Sequence, residues 1–269
     1  MTKRQKHGQK ELFRKIKKIF YIPLNSICKT AAMQILYRIS NNSYNKPRLP
    51  EATKEFCLDN FINNVVTSQD NMLIIADNVD PELRKFLDTK TCDNIKVAEH
   101  NFGSNGASFR YQLELASSLP AEEVTLLQED DYLYKPAEWP YQKKTTYKQL
   151  LGEVLATADY ASLYDHPDKY LAPALGGNKY ISDKGVESTG IFCTEHSHWK
   201  YTNSTTCTFA CKSKTVRSDI KIWKQFCQSD HPHDFQAFIA LSLKGRKLAS
   251  SIPGKATHCE IDFISPFFR

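Results

Sequence analysis

The stretch of residues 124–132 constrains the fold more than any other part of this 269-residue chain. Strand-forming residues over 124–128 end in three consecutive carboxylates, Glu129, Asp130 and Asp131. A buried strand that ends in acids places hard oxygen ligands at the rim of a sheet, where the ligand crevices of open α/β folds lie. Such ligands suit Mg²⁺ or Mn²⁺. The alternative interpretation is an acidic surface turn after a strand.

Strand-like and helical segments alternate through the first half of the chain. The predicted strands are 33–40, 72–78, 94–99 and 124–128, and the predicted helices are 51–66, 81–87 and 107–118. This alternation is typical of a doubly wound, mainly parallel sheet. The second half alternates less regularly, with predicted helices at 144–158 and 233–244 and short strands at 178–182, 187–194 and 205–211.

Positive charge is concentrated at the N-terminus. Residues 1–20 hold eight of the 36 lysines and arginines and one of the 30 acids, so the rest of the chain is close to neutral although the net charge is +6. Since nucleic-acid binders usually carry their charge on a folded face, we expect no nucleic-acid partner. Apolar spacing over 10–22 predicts a basic amphipathic helix that either contacts an anionic membrane or packs on the domain. We therefore divide the chain into a basic segment, 1–22, and one domain, 23–269.

Neither a signal peptide nor a membrane span is recognisable in the sequence. No run approaches the ~20 apolar residues that cross a bilayer, and no apolar region with a cleavage site follows the basic N-terminus. The eight cysteines form no Cys-x-x-Cys pair and are interpreted as reduced thiols. We expect a cytoplasmic protein, with peripheral contact at the inner face of a membrane if residues 1–22 dock there.

The order of these elements resembles the GT-A fold glycosyltransferases of the family 2-like group. The matching residues are 76–78 at the end of the second strand, 101–107 in a Gly/Ser turn before a helix, and 129–132, where Glu-Asp-Asp stands for the Asp-x-Asp of the family. The resemblance covers about residues 33–260. It implies a Rossmann-like GT-A domain, with a mainly parallel central sheet flanked by helices. It also implies sugar transfer from a nucleotide-sugar donor to a hydroxyl acceptor, either a glycan or a lipid-linked glycan.

The resemblance also implies roles for the acids. Asp77 would contact the nucleotide base or ribose, and Asp131 would bind the metal, Mn²⁺ or Mg²⁺, which bridges the diphosphate as a Lewis acid. Glu129 or Asp130 would face the ribose or a metal-bound water. His258 resembles the late histidine that completes the metal site, and imidazole suits Mn²⁺ better than Mg²⁺. The alternative for His258 is a structural role.

Further candidates lie in the second half of the chain. Asp234 corresponds to the late acid that acts as general base in an inverting transfer, or it is a helix-capping acid. Lys255 either neutralises the diphosphate or is a surface lysine. Trp199, Thr205 and Thr206 are predicted contacts to the donor or acceptor sugar, in a stretch rich in polar and aromatic groups.

Two other functions remain open from the sequence. A nucleotidyltransferase would also use a Rossmann-like sheet with acidic ligands, but it usually has a glycine-rich loop after the first strand. Residues 40–50 contain Lys46 and Arg48 and no glycine. The non-enzymatic alternative is a membrane-associated binding module that depends on the basic segment.

Overall fold

The structure is a computed structural model that describes residues 32–41, 46–141, 144–177 and 187–268. Residues 32–269 form one compact unit. The predicted basic segment, 1–22, and the predicted strand at 178–182 lie outside the described residues. Within the described ranges, none of the helices has the length and apolar character needed to cross a membrane.

The first half alternates strands and helices as predicted. Its strands are β1 (Gln34–Ser40), β2 (Asn71–Asp77), β3 (Ile95–His100) and β4 (Val124–Glu129), and its helices are α1 (Lys54–Asn64), α2 (Pro81–Lys90) and α3 (Asn105–Ser118). Each helix begins after a capping side chain, from Thr53, Asp80 or Ser104, that accepts a backbone N–H of the first turn. Such caps satisfy donors that have no partner inside the helix and so fix where the helix begins.

The second half contains shorter elements. Its strands are β5 (Tyr132–Tyr134), β6 (Tyr160–Ser162), β7 (Ile191–Cys193), β8 (His198–Thr202), β9 (Phe209–Lys212), β10 (Leu248–Ile252) and β11 (Ala256–His258). Its α-helices are α4 (Tyr147–Val154), α5 (Ser213–Gln225) and α6 (Asp234–Leu243), and its 3₁₀ turns are Pro167–Tyr170, Pro173–Leu175, Ile261–Phe263 and Pro266–Phe268. The predicted strands at 187–194 and 205–211 correspond to β7 and β9. Helix α5 was not predicted, because it follows β9 directly and has no side-chain cap.

Nine strands of the described residues form one sheet in the order β3-β2-β1-β4-β9-β6-β10-β8-β7. The pairing makes seven of them run in one direction, with β8 and β9 reversed. The predicted mainly parallel central sheet with flanking helices is therefore confirmed. Strands β5 and β11 form a separate antiparallel pair.

An aromatic cluster holds α5 and α6 against the sheet. The rings of Phe209 on β9 and Trp223 on α5 stack with centroids 5.1 Å apart, and Phe238 on α6 packs edge-on against Trp223 at 5.0 Å. The indole N–H of Trp223 donates to Tyr160 Oη at 3.1 Å, which satisfies a buried polar group. This packing fixes the position of Asp234 at the start of α6.

Candidate active site

A cleft of about 600 Å³ lies at the carboxyl ends of β1, β2 and β4. Because β1 pairs in parallel with both β2 and β4, the acids that end those two strands reach the same edge of the sheet. The N-terminal end of α3, the start of α6 and the end of β11 complete the walls. Seven of the ten predicted site residues line the cleft: Asp77, Glu129, Asp130, Asp131, Thr206, Asp234 and His258.

The first two acids of the triplet have fixed partners. Glu129 Oε1 lies 2.7 Å from Arg38 Nη2, and Asp130 Oδ1 lies 2.5 Å from Lys54 Nζ. The second oxygen of Asp130 accepts the backbone N–H of Ser40 at 2.9 Å. Burial raises the pKa of Glu129, although Arg38 opposes the shift. Both carboxylates are thus held in place by protein groups.

The third acid, Asp131, has one oxygen with partners and one without. Asp131 Oδ2 lies 3.0 Å from Arg48 Nη2 and 3.3 Å from His258 Nε2. Asp131 Oδ1 is buried and has no hydrogen-bond partner among the described residues. Burial opposes ionisation, but His258, Lys54 and Arg48 outweigh it and hold the pKa of Asp131 well below its usual range. A buried anionic oxygen without a partner is a site that a cation would satisfy.

The β5–β11 pair brings His258 to the acidic triplet. Tyr132, directly after the triplet, pairs with His258 across the two strands. The backbone N–H of Cys259 donates to the carbonyl of Asp131 at 2.9 Å, which fixes the register at this point. Burial lowers the pKa of His258, but Asp131 outweighs burial and raises it above its ordinary value.

Asp131 and His258 fit a divalent cation. Asp131 Oδ1, which has no partner among the described residues, and the imidazole of His258, 3.3 Å from the other oxygen of that carboxylate, form a mixed O,N donor set that Mn²⁺ accepts once the imidazole has lost its proton. Across the described residues, a group of three close metal-ligating side chains occurs only outside the cleft, at Glu153, Glu195 and His196. The cleft therefore offers two candidate protein ligands, a number that suits ions that keep waters and bind substrate phosphates.

Asp77 is fixed at the end of β2 by the turn that precedes α3. Its side chain is buried but lines the cleft, and Asp77 Oδ1 accepts the backbone N–H of Phe102 at 2.9 Å. Gly103 follows with φ +76, a left-handed conformation that favours glycine. The turn thus holds a carboxylate at the cleft rim.

Gly106 allows a close backbone approach, but to the chain itself and not to a ligand. Its N–H donates to the carbonyl of Asp230 at 2.8 Å. An added Cβ at this position would lie 2.1 Å from the carbonyl oxygen of Ser229. The glycine therefore packs the start of α3 against the segment that leads into α6.

Asp234 lies in the first turn of α6 and faces the cleft. Burial, followed by the charge of Glu129, raises the pKa of Asp234 to about 7. Its own backbone N–H and that of Phe235 oppose this shift, as does His258. The geometry thus agrees with a first-turn acid and also gives the cleft a carboxylate that titrates near neutrality.

The structure contradicts the predicted locations of Lys255 and Trp199. Lys255 is fully buried outside the cleft, and its Nζ donates to the carbonyls of Ala137, at 2.9 Å, and Trp139. Burial lowers the pKa of Lys255 to about 8. Trp199 is fully buried on β8, where its indole N–H donates to Thr194 Oγ1 at 3.1 Å. Neither side chain can reach a ligand in the cleft.

The two predicted threonines are separated by the wall of the cleft. Thr205 is buried outside it and donates to Ser162 Oγ at 2.9 Å. Thr206 lines the cleft, with its hydroxyl 2.5 Å from Tyr132 Oη. Among the predicted sugar contacts, only Thr206 is therefore at the surface of the cleft.

Four basic side chains of the cleft were not predicted as site residues: Arg38, Lys46, Arg48 and Lys54. Arg38 lies within buried β1, and a charge inside a buried strand needs a partner. Lys46 and Arg48 follow β1 at the same sheet edge as the acids. Their position directly after β1 could have identified them as residues of the cleft. The sequence could not show which acid each of them would pair with.

No protein-family model matches the sequence, and no curated protein sequence matches it. Among solved structures, GalNAc-T7 with UDP, GalNAc and Mn²⁺ superposes with a TM-score of 0.55 at 10% identity, over 85% of this chain and 44% of that chain. The galactosyltransferase LgtC with donor and acceptor sugar analogs gives 0.45 at 11% identity, over 81% and 73%. 4-Diphosphocytidyl-2C-methyl-D-erythritol synthase from Anaerococcus prevotii gives 0.43 at 12%, over 84% and 89%. The likeness to GalNAc-T7 confirms the predicted GT-A fold, and this chain spans less than half of that protein.

Proposed function

We propose that this protein is a metal-dependent glycosyltransferase that moves a sugar from a nucleotide-sugar donor to a hydroxyl acceptor with inversion. The observation that carries the proposal is that one cleft combines the unpartnered Asp131 Oδ1, on a carboxylate whose other oxygen lies 3.3 Å from His258, with the Asp234 carboxylate, whose pKa is about 7. These are the two chemical functions that such a transfer requires, a cation site and a base. The fold shared with GalNAc-T7, a structure that holds UDP, GalNAc and Mn²⁺, supports the assignment.

The donor would bind along the acidic edge of the sheet. Asp77 would contact the base or ribose, and Asp131 and His258 would hold Mn²⁺ or Mg²⁺. When bound, the cation supplies Lewis-acid stabilisation of the diphosphate leaving group. Lys46 and Arg48 replace Lys255 as the side chains that neutralise the diphosphate, since both line the cleft. This assignment leaves Glu129 and Asp130 to orient the cationic side chains that they already bind.

The acceptor would be activated by Asp234. Its carboxylate takes the proton from the acceptor hydroxyl as that oxygen forms a bond to the anomeric carbon. The bond from the anomeric carbon to the diphosphate oxygen breaks on the opposite face, so the configuration inverts. A base with a pKa near the working pH is ionised often enough to act and basic enough to accept the proton.

A thermal-shift screen of nucleotide sugars with and without Mn²⁺ or Mg²⁺ tests the proposal. We expect one donor to raise the melting temperature only with metal. A ligand that binds only the native state, at a concentration of about 100 times its Kd, stabilises that state by about 2.7 kcal/mol. The Asp131→Ala variant should lose this shift, while Asp93→Ala, at an exposed site outside the cleft, should keep it. The proposal fails if no nucleotide sugar produces a metal-dependent shift.

A further inference from the structure

A second cavity, of about 730 Å³, lies beside the cleft. Its surface is almost entirely apolar, with Trp139, Ile252 and Pro266 among the lining residues. The volume falls within the range of about 300–1,000 Å³ that is typical of small-molecule sites. A cavity of this size and composition fits an apolar ligand.

The second cavity and the cleft share a wall. His166 and Phe263 line the cleft, whereas Pro167, the next residue after His166, and Ser265, two residues after Phe263, line the second cavity. The rings of His166 and Phe263 pack with centroids 5.0 Å apart. The segments around His166 and Phe263 therefore lie between the two spaces.

The rim of the second cavity exposes large apolar side chains to solvent. Tyr170 is 50% exposed, Leu171 43% and Phe267 58%. Contiguous exposed apolar surface on a folded protein commonly marks a binding site. Because the apolar surface continues from the cavity onto its rim, it suits an elongated apolar group better than a compact one.

The lining of the second cavity includes one carboxylate, that of Asp165, and this group already has partners. Asp165 lies 2.9 Å from Lys200 Nζ and also accepts a hydrogen bond from Tyr170 Oη. Ser265 Oγ donates to the Asp165 carbonyl at 3.3 Å. Within the described residues, the lining thus presents no uncompensated charge to a ligand, which favours a hydrocarbon over a polar molecule.

We propose that the second cavity binds the hydrocarbon chain of a lipid-type acceptor whose hydroxyl head group reaches the cleft. The inference rests on the proposed glycosyltransferase function, because it assigns the class of acceptor. The cleft supplies the polar site for the transferred sugar, and the adjoining cavity removes the acceptor chain from water. Each methylene of the chain that is buried should tighten acceptor binding by up to about fourfold.

Binding of a dansyl-labelled undecanoic acid to the full-length protein tests the cavity, with fluorescence as the readout. We expect saturable binding by the wild type and at least about tenfold weaker binding by Leu171→Asp, because the variant places a charge at the apolar rim. Phe267→Asp provides a second variant at the same rim. Leu243→Asp is the matched control, since Leu243 is 85% exposed on α6 and lines neither cavity, and it should bind the probe as the wild type does.

Parallel thermal shifts with nucleotide sugar and Mn²⁺ separate this inference from the proposed function. If the wild type shows the nucleotide shift but binds no probe, or if Leu243→Asp weakens the probe as much as Leu171→Asp, the cavity assignment is overturned. Self-association of the wild type that Leu171→Asp abolishes, without probe binding, would also overturn it in favour of a second copy of the chain. If the probe binds but no nucleotide sugar does, the assignment as an acceptor site is overturned together with the transferase function.

A chain-length series then tests the acceptor assignment itself. With n-alkyl glycosides as acceptors, the KM for transfer should fall as the chain lengthens in the wild type and in Leu243→Asp. It should change little with chain length in Leu171→Asp. A KM that is independent of chain length in the wild type would contradict the proposal.

Discussion

The cleft and the second cavity have similar volumes, about 600 and 730 Å³, and are built from opposite kinds of side chain. In the cleft, each acid of the triplet faces a basic side chain, and one oxygen of Asp131 has no partner. In the cavity, the single carboxylate is already paired and the remaining surface is almost entirely apolar. Under the proposed function, the cleft carries the donor chemistry and the second cavity holds the apolar part of the acceptor.

The largest expected effect is the loss of the base in the cleft. Asp234→Asn keeps the shape of the side chain but cannot take a proton, so kcat for transfer should fall by about 10²–10⁴. Metal-dependent binding of the nucleotide sugar and binding of the dansyl probe should both persist. A variant that transfers sugar at the wild-type rate would remove Asp234 from the chemistry and leave it as a first-turn acid.

The pH profile should show the same group in the wild type. Because the pKa of Asp234 is raised to about 7, the base is protonated below that pH. We expect the transfer rate to fall about tenfold for each pH unit below the pKa and to level off above it. The affinity of the second cavity for the probe should not depend on the protonation of Asp234. If probe binding and the transfer rate showed the same pH dependence, the two sites would not be independent.

The raised pKa also predicts an effect of Asp234 on stability. At pH values between the pKa of Asp234 in the unfolded state and its pKa in the folded state, the native protein holds the proton and the unfolded chain does not. The stabilisation that this provides is complete below the unfolded pKa and is lost as pH rises through about 7. Asp234→Asn should therefore gain stability relative to the wild type near pH 8, but not near pH 4, as measured by denaturant unfolding. An equal difference at both pH values would contradict the raised pKa.

A smaller effect is expected at Lys255, which is buried behind the lining of the second cavity and outside the cleft. Lys255 Nζ donates to the carbonyl of Trp139, a residue that lines the cavity. Lys255→Met should destabilise the fold by about 1–3 kcal/mol, because buried carbonyls lose their donor. Probe binding should weaken while nucleotide-sugar binding is retained. Weaker nucleotide binding at unchanged stability would return Lys255 to the donor site.

The parallel half of the fold and most of the acids could be predicted because their signals are local. Apolar runs, capping residues and acids at strand ends lie within a few positions of one another, as in the stretch from β4 to Asp131. The same holds for Asp234, which begins a helix after a recognisable turn.

What could not be predicted depends on contacts between distant parts of the chain. The partner of Glu129 is Arg38, 91 residues away, and that of Asp131 is Arg48, 83 residues away. Lys255 and Trp199 have polar or aromatic side chains that suit a sugar nucleotide. Their burial is decided by the pairing of short strands with no strong pattern of their own.

Calorimetric titration of UDP, GDP and CDP, each with and without Mn²⁺, tests most directly whether the cleft is a metal–diphosphate site. The account predicts that at least one nucleotide binds the wild type and Asp93→Asn only when Mn²⁺ is present. In Asp131→Asn, this metal-dependent binding should disappear at temperatures where the variant is still folded, although its melting temperature without ligand should fall because Arg48 and His258 lose their anionic partner. Nucleotide binding that is equally tight without metal and is unchanged in Asp131→Asn would contradict the account.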